Sequence, residues 1–343
     1  MEKTRKRRGT GRVTLQEVAN FAGVGTMTVS RALRTPEQVS DKLREKIEQA
    51  VEELGYIPNR TAGALASGHS HTVAVLVPSL TDKASSRFMQ SLQQVLNKNE
   101  FQLLLGCHEY NQLKEAEILM TLLQGNPAAL VIFGSQLADK THQILEKTNI
   151  PTINVIGSPF SPAQITIETA FFEASHKLTE HLLEQGYKNI GFIGAHMDNR
   201  LQRQQLNGWH KAMLSHYQNT DLVITMPDAA SLQLGRYALN EILLRQPELD
   251  AVICSHEEIA LGIMFECQRR LLKIHGNIAV ACLDGSDNCD QTHPTLTSIR
   301  IDYKKMGIET GKLLIGLLNN NHDESEESRI VQFNYQIELR QST

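Results

Sequence analysis

Residues 26–31, Thr-Met-Thr-Val-Ser-Arg, put a guanidinium, three hydroxyls and a flexible thioether into fewer than two helical turns. Those groups suit a DNA groove. A guanidinium donates two hydrogen bonds to guanine O6 and N7, worth about 1–3 kcal/mol of discrimination. A threonine offers its hydroxyl or its methyl, and a methionine makes apolar contact, for instance with a thymine methyl. Thr26, Met27 and Arg31 are therefore expected at base edges. Thr28, Ser30, Ser40, Tyr56 and Asn59 carry hydroxyls or amides suited to phosphates, which set register without reading sequence. Thr14 is placed in the same DNA-contacting set. Plainer readings stand beside these: Met27 also fits the core of a small domain, and Arg31 a solvated surface.

Three short helices must position these groups. Thr14 and Glu17 have the T-x-x-E spacing of a capping box, followed by Val18, Ala19, Phe21 and Ala22, with Gly23 as the stop. A second helix runs from about Thr26 to Leu33 and ends before Pro36. A third starts at the N-cap Ser40, carries Leu43, Ile47, Val51 and Leu54 at helical spacing, and closes at Gly55. Three helices in about 45 residues, two of them joined by a tight glycine-containing turn, spell helix-turn-helix.

Charge follows the same division. The 343 residues have a net charge of -4, yet residues 1–35 are +6, leaving -10 for the rest. A basic head on an acidic body suggests that the head meets a polyanion. The arm 1–13 reads equally as a tracker of phosphates and as a solvated tail. No apolar run is long enough for a transmembrane helix, and the basic start lacks an apolar signal core, so no membrane partner is expected. Cys107, Cys254, Cys267, Cys282 and Cys289 are odd in number and lack CxxC spacing, which reads as reduced thiols in a cytoplasm, with no zinc.

From Thr72 the pattern changes. Apolar segments at 73–77, 103–105, 130–133, 153–156, 190–193, 251–254 and 278–282 alternate with amphipathic stretches of helix length. That alternation implies an α/β body with parallel sheets and right-handed crossovers. The 272 residues from 72 to 343 suit two lobes with a cleft between them. Residues 59–71 form a small-residue hinge, Asn319–Ser328 a polar acidic loop, and the tail after Val331 a strand.

The segment VTLQEVANFAGVGTMTVSRALR at 13–34 resembles the helix-turn-helix of the LacI/galactose-repressor family. The resemblance continues through VSDKLREKIEQAVEELGYIPNRTAGAL at 39–65 and, in the body, HLLEQGYKNIGFIG at 181–194, NGWHKAM at 207–213, CSHEEIALGIMFECQR at 254–269 and DGSDNCDQTHPTLTSI at 284–299. Within the family, TMTVSRALRTPEQVS (26–40), IGAHMDNR (193–200) and FECQR (265–269) look most like the gluconate-utilisation repressors.

That resemblance implies a DNA-binding transcriptional regulator, a repressor with a periplasmic-binding-protein-like body, acting as a homodimer on pseudo-palindromic double-stranded operator DNA. No C-terminal leucine heptad is present, so a dimer is expected and not a tetramer. It implies that Leu65, in a hinge helix formed on the operator, wedges into the minor groove; a plain flexible linker is the other reading. It implies an effector, a sugar acid such as gluconate, with Ser79, Asp82, Arg200, Arg203, Glu257 and Asp284 as ligand-binding residues. Arg200 and Arg203 also suit the surface of a helix start. The sequence departs from the family where Gln205 stands at a common arginine position, His256-Glu257 at an Asn-Asp pair, Ser85 at an aromatic, and Cys282-Leu283 at a Gly-Phe.

Two other functions fit the body alone: an enzyme of sugar acids, and a transport-type binding protein. The first lacks Walker, GxSxG, HExxH and GxGxxG signatures, so no catalytic residues, metal or cofactor are assigned. The basic head speaks against the second.

Overall fold

The computed structural model describes residues 13–58, 70–134, 137–157, 159, 163, 165–196, 200–319 and 329–343. The arm up to Arg12, Asn59, Leu65 and residues 320–328 of the acidic tract lie outside the described residues. The chain divides into two units, Met1–Ser70 and His71–Thr343.

In the first unit, α1 (Leu15–Ala22), α2 (Thr26–Arg34) and α3 (Asp41–Leu54) follow the helix signals of the sequence. The capping box forms: Thr14 Oγ1 accepts from the Glu17 amide, and Glu17 reaches back to the Thr14 amide at 2.6 Å. Gly23 ends α1 at φ 64°, a left-handed conformation that costs a β-carbon-free residue nothing. Val18, Ala19, Ala22, Val29, Ala32, Ile47 and Ala50 form the core of this small unit. Phe21, in the apolar run of α1, stays exposed.

The second unit holds two six-stranded sheets. The first has the order β11-β5-β4-β3-β1-β2, from β1 (Thr72–Val77), β2 (Gln102–Cys107), β3 (Ala129–Phe133), β4 (Thr152–Val155), β5 (Ile165–Glu168) and β11 (Arg329–Gln332), all paired in parallel. The second has the order β12-β10-β9-β8-β6-β7, from β6 (Ile190–Gly194), β7 (Val223–Thr225), β8 (Ala251–Cys254), β9 (Ala279–Gly285), β10 (Thr297–Ile301) and β12 (Tyr335–Glu338). Its pairs are parallel, except that β12 runs antiparallel to β10.

Strand alternation gives each sheet two covered faces. Val73, Val75 and Val77 face α4 (Lys83–Lys98) and α11 (Tyr303–Leu318), whereas Ala74 and Leu76 face α5 (Gln112–Gln124) and α6 (Asp139–Leu145). In the second sheet, Phe192 and Ile253 pack on α7 (Phe171–Glu184) and α8 (Arg200–Ser215). Ile193 and Val252 pack on α9 (Leu232–Arg245) and α10 (Glu257–Arg269). Gly208 lets α7 and α8 close up: a β-carbon there would sit 2.2 Å from the Phe172 carbonyl oxygen.

All seven apolar segments expected from the sequence fall on strands, 251–254 with the same bounds and the others with shifted ends. The segment read as 278–282 is Ala279–Gly285, which carries Asp284 onto the end of β9. Strands β5, β7 and β10 were not in that reading. The tail is two strands, β11 and β12, that join different sheets, so the chain passes between lobes there as it does after β5 and after β10. No helix among the described residues is long and apolar enough to cross a membrane.

Candidate functional site

In the first unit, Met27 is 74% exposed at the start of α2, so it does not belong to the core. Arg31 is exposed in the last turn of the same helix, and Thr26, Thr28 and Ser30 are half-buried. Ser40, the N-cap residue of α3, is exposed, and Tyr56 packs against the core. Thr14 spends its hydroxyl inside the capping box, where it also donates to Glu17 Oε2 at 2.9 Å.

In the second unit, a cavity of about 240 Å³ opens at the carboxyl ends of strands from both sheets, the usual place for a ligand in α/β lobes. Asp82 reaches it from the loop after β1, Lys83 from the first turn of α4, Tyr110 from the loop after β2, His196 from the end of β6, His256 from the end of β8 and Asp284 from β9. Tyr110, Ile156 and His196 hold left-handed backbone, at φ 58°, 60° and 50°. Such conformations cost about 1–3 kcal/mol each and cluster where side chains are aimed at a ligand.

The polar groups of the wall fall into two sets. One is satisfied. The Tyr110 hydroxyl donates to Asp82, and the Tyr303 hydroxyl donates to Asp284 at 3.1 Å. Lys83 Nζ lies 2.6 Å from Glu257 Oε1 and 3.0 Å from Glu258 Oε1, so an ion pair spans the two lobes. The other set has no partner: Ser85 Oγ, Gln202 Oε1 and both amide atoms of Gln205 are buried without a hydrogen bond in the cavity wall. Buried polar groups without partners are costly, and these are positioned to meet a polar ligand.

Burial, with the neighbouring carboxylates, pushes Asp284 up to about 7 despite the opposing Tyr303 hydrogen bond. Burial pushes His256 down to about 4 and lowers His196 as well, so both rings are neutral near pH 7. A neutral His256 fits its surroundings, with Nδ1–H donating to Ser255 Oγ at 2.7 Å and Nε2 accepting from Gln202 at 3.4 Å. For Lys83, burial works against the charge, but the hydrogen bonds to Glu257 and Glu258 outweigh it and hold its pKa above the ordinary value.

Residues 14–59 match the family described as bacterial regulatory proteins, lacI family, and residues 179–343 match a periplasmic binding protein-like domain. The chain is 33% identical over 299 residues to the HTH-type transcriptional regulator GntR of Escherichia coli K12, covering 86% of this chain and 89% of that one. The chain belongs to the LacI family. A solved PurR family transcriptional regulator from Vibrio parahaemolyticus is 40% identical, with a TM-score of 0.73 over 79% of this chain and 98% of that one. A LacI family regulator from Silicibacter pomeroyi is 26% identical, with a TM-score of 0.87 over 96% and 98%. The chain is therefore a LacI-family DNA-binding transcriptional regulator. Proteins of this family bind operator DNA and small-molecule effectors.

Of the six ligand residues expected in this LacI-family regulator, the structure brings Asp82 and Asp284 to the cavity. Ser79 lies beside it and accepts hydrogen bonds from the amides of Thr81 and Asp82. Glu257 is buried behind the wall, where it accepts from Lys83, from the Ser286 amide at 2.7 Å and from Asn288 at 3.0 Å. Arg200 and Arg203 start α8, but that helix turns Leu201, Gln202 and Gln205 to the cavity. Gln205 lies four residues from Leu201 and three from Gln202, spacings that share a helix face, and Arg203 is exposed and does not line the cavity.

The sequence reading left out Lys83, Arg87, Tyr110, Glu258 and Tyr303 as cavity residues. The signal for the first two was available. They sit in the first two turns of a helix that directly follows a buried strand, a place that faces the cleft in parallel α/β lobes.

Proposed function

We propose that the effector of this regulator is a sugar acid such as gluconate, bound in the cavity between the lobes. We further propose that the protein acts in the cytoplasm as a homodimer on a pseudo-palindromic operator. The observation that carries the effector reading is the group of unpartnered polar atoms, Ser85 Oγ, Gln202 Oε1 and the Gln205 amide, beside the carboxylates Asp82 and Asp284. Polyol hydroxyls both donate and accept, which suits amides and carboxylates together. The similarity to regulators named GntR supports the same class of ligand.

At the operator, Thr26, Met27 and Arg31 read base edges, and Thr28, Ser30, Ser40, Tyr56 and Asn59 hold phosphates, with Leu65 as the minor-groove wedge. The exposure of Met27 and Arg31 supports the base-edge role. Effector binding shifts the population of lobe arrangements and, with it, operator affinity. An allosteric coupling of about 1–3 kcal/mol, typical in general, corresponds to roughly 5–150-fold.

Footprinting of the full chain on genomic fragments, with and without gluconate, tests the reading. A protected two-fold symmetric site whose occupancy changes with gluconate is expected, with affinity falling steeply as salt rises. The DNA part fails if no symmetric site is protected. The effector part fails if no hexonate changes occupancy or melting temperature.

A further inference from the structure

We infer that the effector's carboxylate seats on the amino-terminal turn of α4, against Lys83 and Ser85, and displaces Glu258 from the Lys83 ammonium. This deepens the sugar-acid reading above and rests on it.

An anionic group needs a cation, and among the described residues lining the cavity the cations are Lys83 and Arg87. The α8 wall offers the neutral amides of Gln202 and Gln205, and the β9 wall offers Asp284. Both cations stand on α4. Arg87 is turned to Asp287 at 3.3 Å, an acid that also takes Arg300 at 2.5 Å.

The amino-terminal turn of α4 favours an anion in two further ways. Its first intrahelical acceptor serves Ser86, so the amides of Lys83, Ala84 and Ser85 precede the hydrogen-bond ladder and carry the positive end of the helix dipole. Ser85 Oγ, on a residue that is 1% exposed, lies in the cavity wall without a partner. The neighbouring carboxylate of Asp82 is engaged by the Tyr110 hydroxyl.

Lys83 holds two carboxylates that are unlike. Glu257 is buried and fixed by Ser286, Asn288 and the Cys289 thiol as well as by Lys83. Glu258 is 36% exposed and lines the cavity. An incoming carboxylate exchanges for the solvent-facing Glu258 while Glu257 keeps the lobes tied. The hydroxylated tail of the ligand then meets Gln205 and Asp284 on the far wall. Effector binding thus remakes an inter-lobe ion pair, which links the ligand to lobe arrangement.

Calorimetric titration of the full chain with gluconate and with neutral gluconamide tests this. The wild type is expected to bind gluconate more tightly than gluconamide. Lys83→Met should weaken gluconate by about tenfold to a hundredfold, the range for a lost hydrogen bond to a charged group, and weaken gluconamide less, through the lost tie to Glu257 alone. Glu258→Gln should tighten gluconate several-fold, because the competing charge is gone, and it decides the matter if Lys83→Met fails to fold. Equal binding of both probes by the wild type overturns the inference and leaves the cavity reading in place. So does gluconate binding that Lys83→Met and Glu258→Gln do not alter, or that Arg87→Met harms more than Lys83→Met. A wild type that binds neither gluconate nor any other hexonate overturns the sugar-acid reading, and the inference falls with it.

Discussion

Tyr110 and His196 lie face to face across the cleft, with ring centroids 3.9 Å apart and planes 17° from parallel. One comes from the loop after β2 and the other from the end of β6, so the stack joins the two lobes. Aromatic pairs of this kind contribute about 0.5–1.5 kcal/mol beyond their buried area. Tyr110→Ala is expected to loosen the lobe arrangement and weaken effector binding by roughly 2–12-fold, the equivalent of that energy. Tyr110→Phe keeps the stack and loses the hydrogen bond to Asp82, and should fall between wild type and Tyr110→Ala. Scattering profiles and titrations of the three proteins check this; identical behaviour would remove the stack from the account.

Asp284 gives a pH-dependent contribution of definite sign. Its pKa is about 7 in the folded chain against an ordinary 3.8. Between those values the folded protein keeps a proton that the unfolded chain has released. Stability from this group is therefore greatest in acid and falls as pH rises through that window. Asp284→Asn fixes the neutral form, so the variant should gain on wild type as pH rises from about 4 to about 7, with a constant gap above. His256, pushed down to about 4, works the opposite way, since the unfolded ring takes a proton below about 6.5 and the folded ring does not. Denaturant melts of wild type and Asp284→Asn at matched pH isolate the Asp284 contribution; a gap independent of pH would contradict it.

Arg31 is exposed in the last turn of α2, and the proposed base-edge role requires a solvent-facing guanidinium. Arg31→Ala is expected to cost about 1–3 kcal/mol at the operator and much less on random DNA. Competition binding at fixed salt reads the ratio. An equal loss on both would assign Arg31 to phosphates.

Gly208 is set by packing and not by turn geometry. A β-carbon added there meets the Phe172 carbonyl oxygen at 2.2 Å and the Ser175 β-carbon at 2.9 Å. Backbone on a helix has little room to yield, so Gly208→Ala should force α7 and α8 apart and destabilise the body by about 1–3 kcal/mol or more. The helix-propensity gain of alanine, about 1 kcal/mol, opposes this and is too small to cancel it. A melting temperature at or above wild type would show that the helices separate freely.

The three-helix head was legible residue by residue. Thr14, Gly23 and Gly55 bound the helices as their types suggest, because caps act over three or four residues and sequence neighbours carry the signal, whereas Ser40 holds the N-cap position with no cap bond from its hydroxyl. The alternation of strand and helix in the body was equally local, and the buried central strands such as β1 and β8 stood out as apolar runs. Strands β7 and β10 are short or mixed in polarity and exist through their neighbours in the sheet. The cavity was only partly legible. Helix phase decided that α8 shows Gln202 and Gln205 to the ligand space, and the sequence names the arginines without fixing that phase. Lys83 meets Glu257 across 174 positions of chain. Such a pairing depends on how two lobes close on each other, a property of the whole body that no local window of residues encodes.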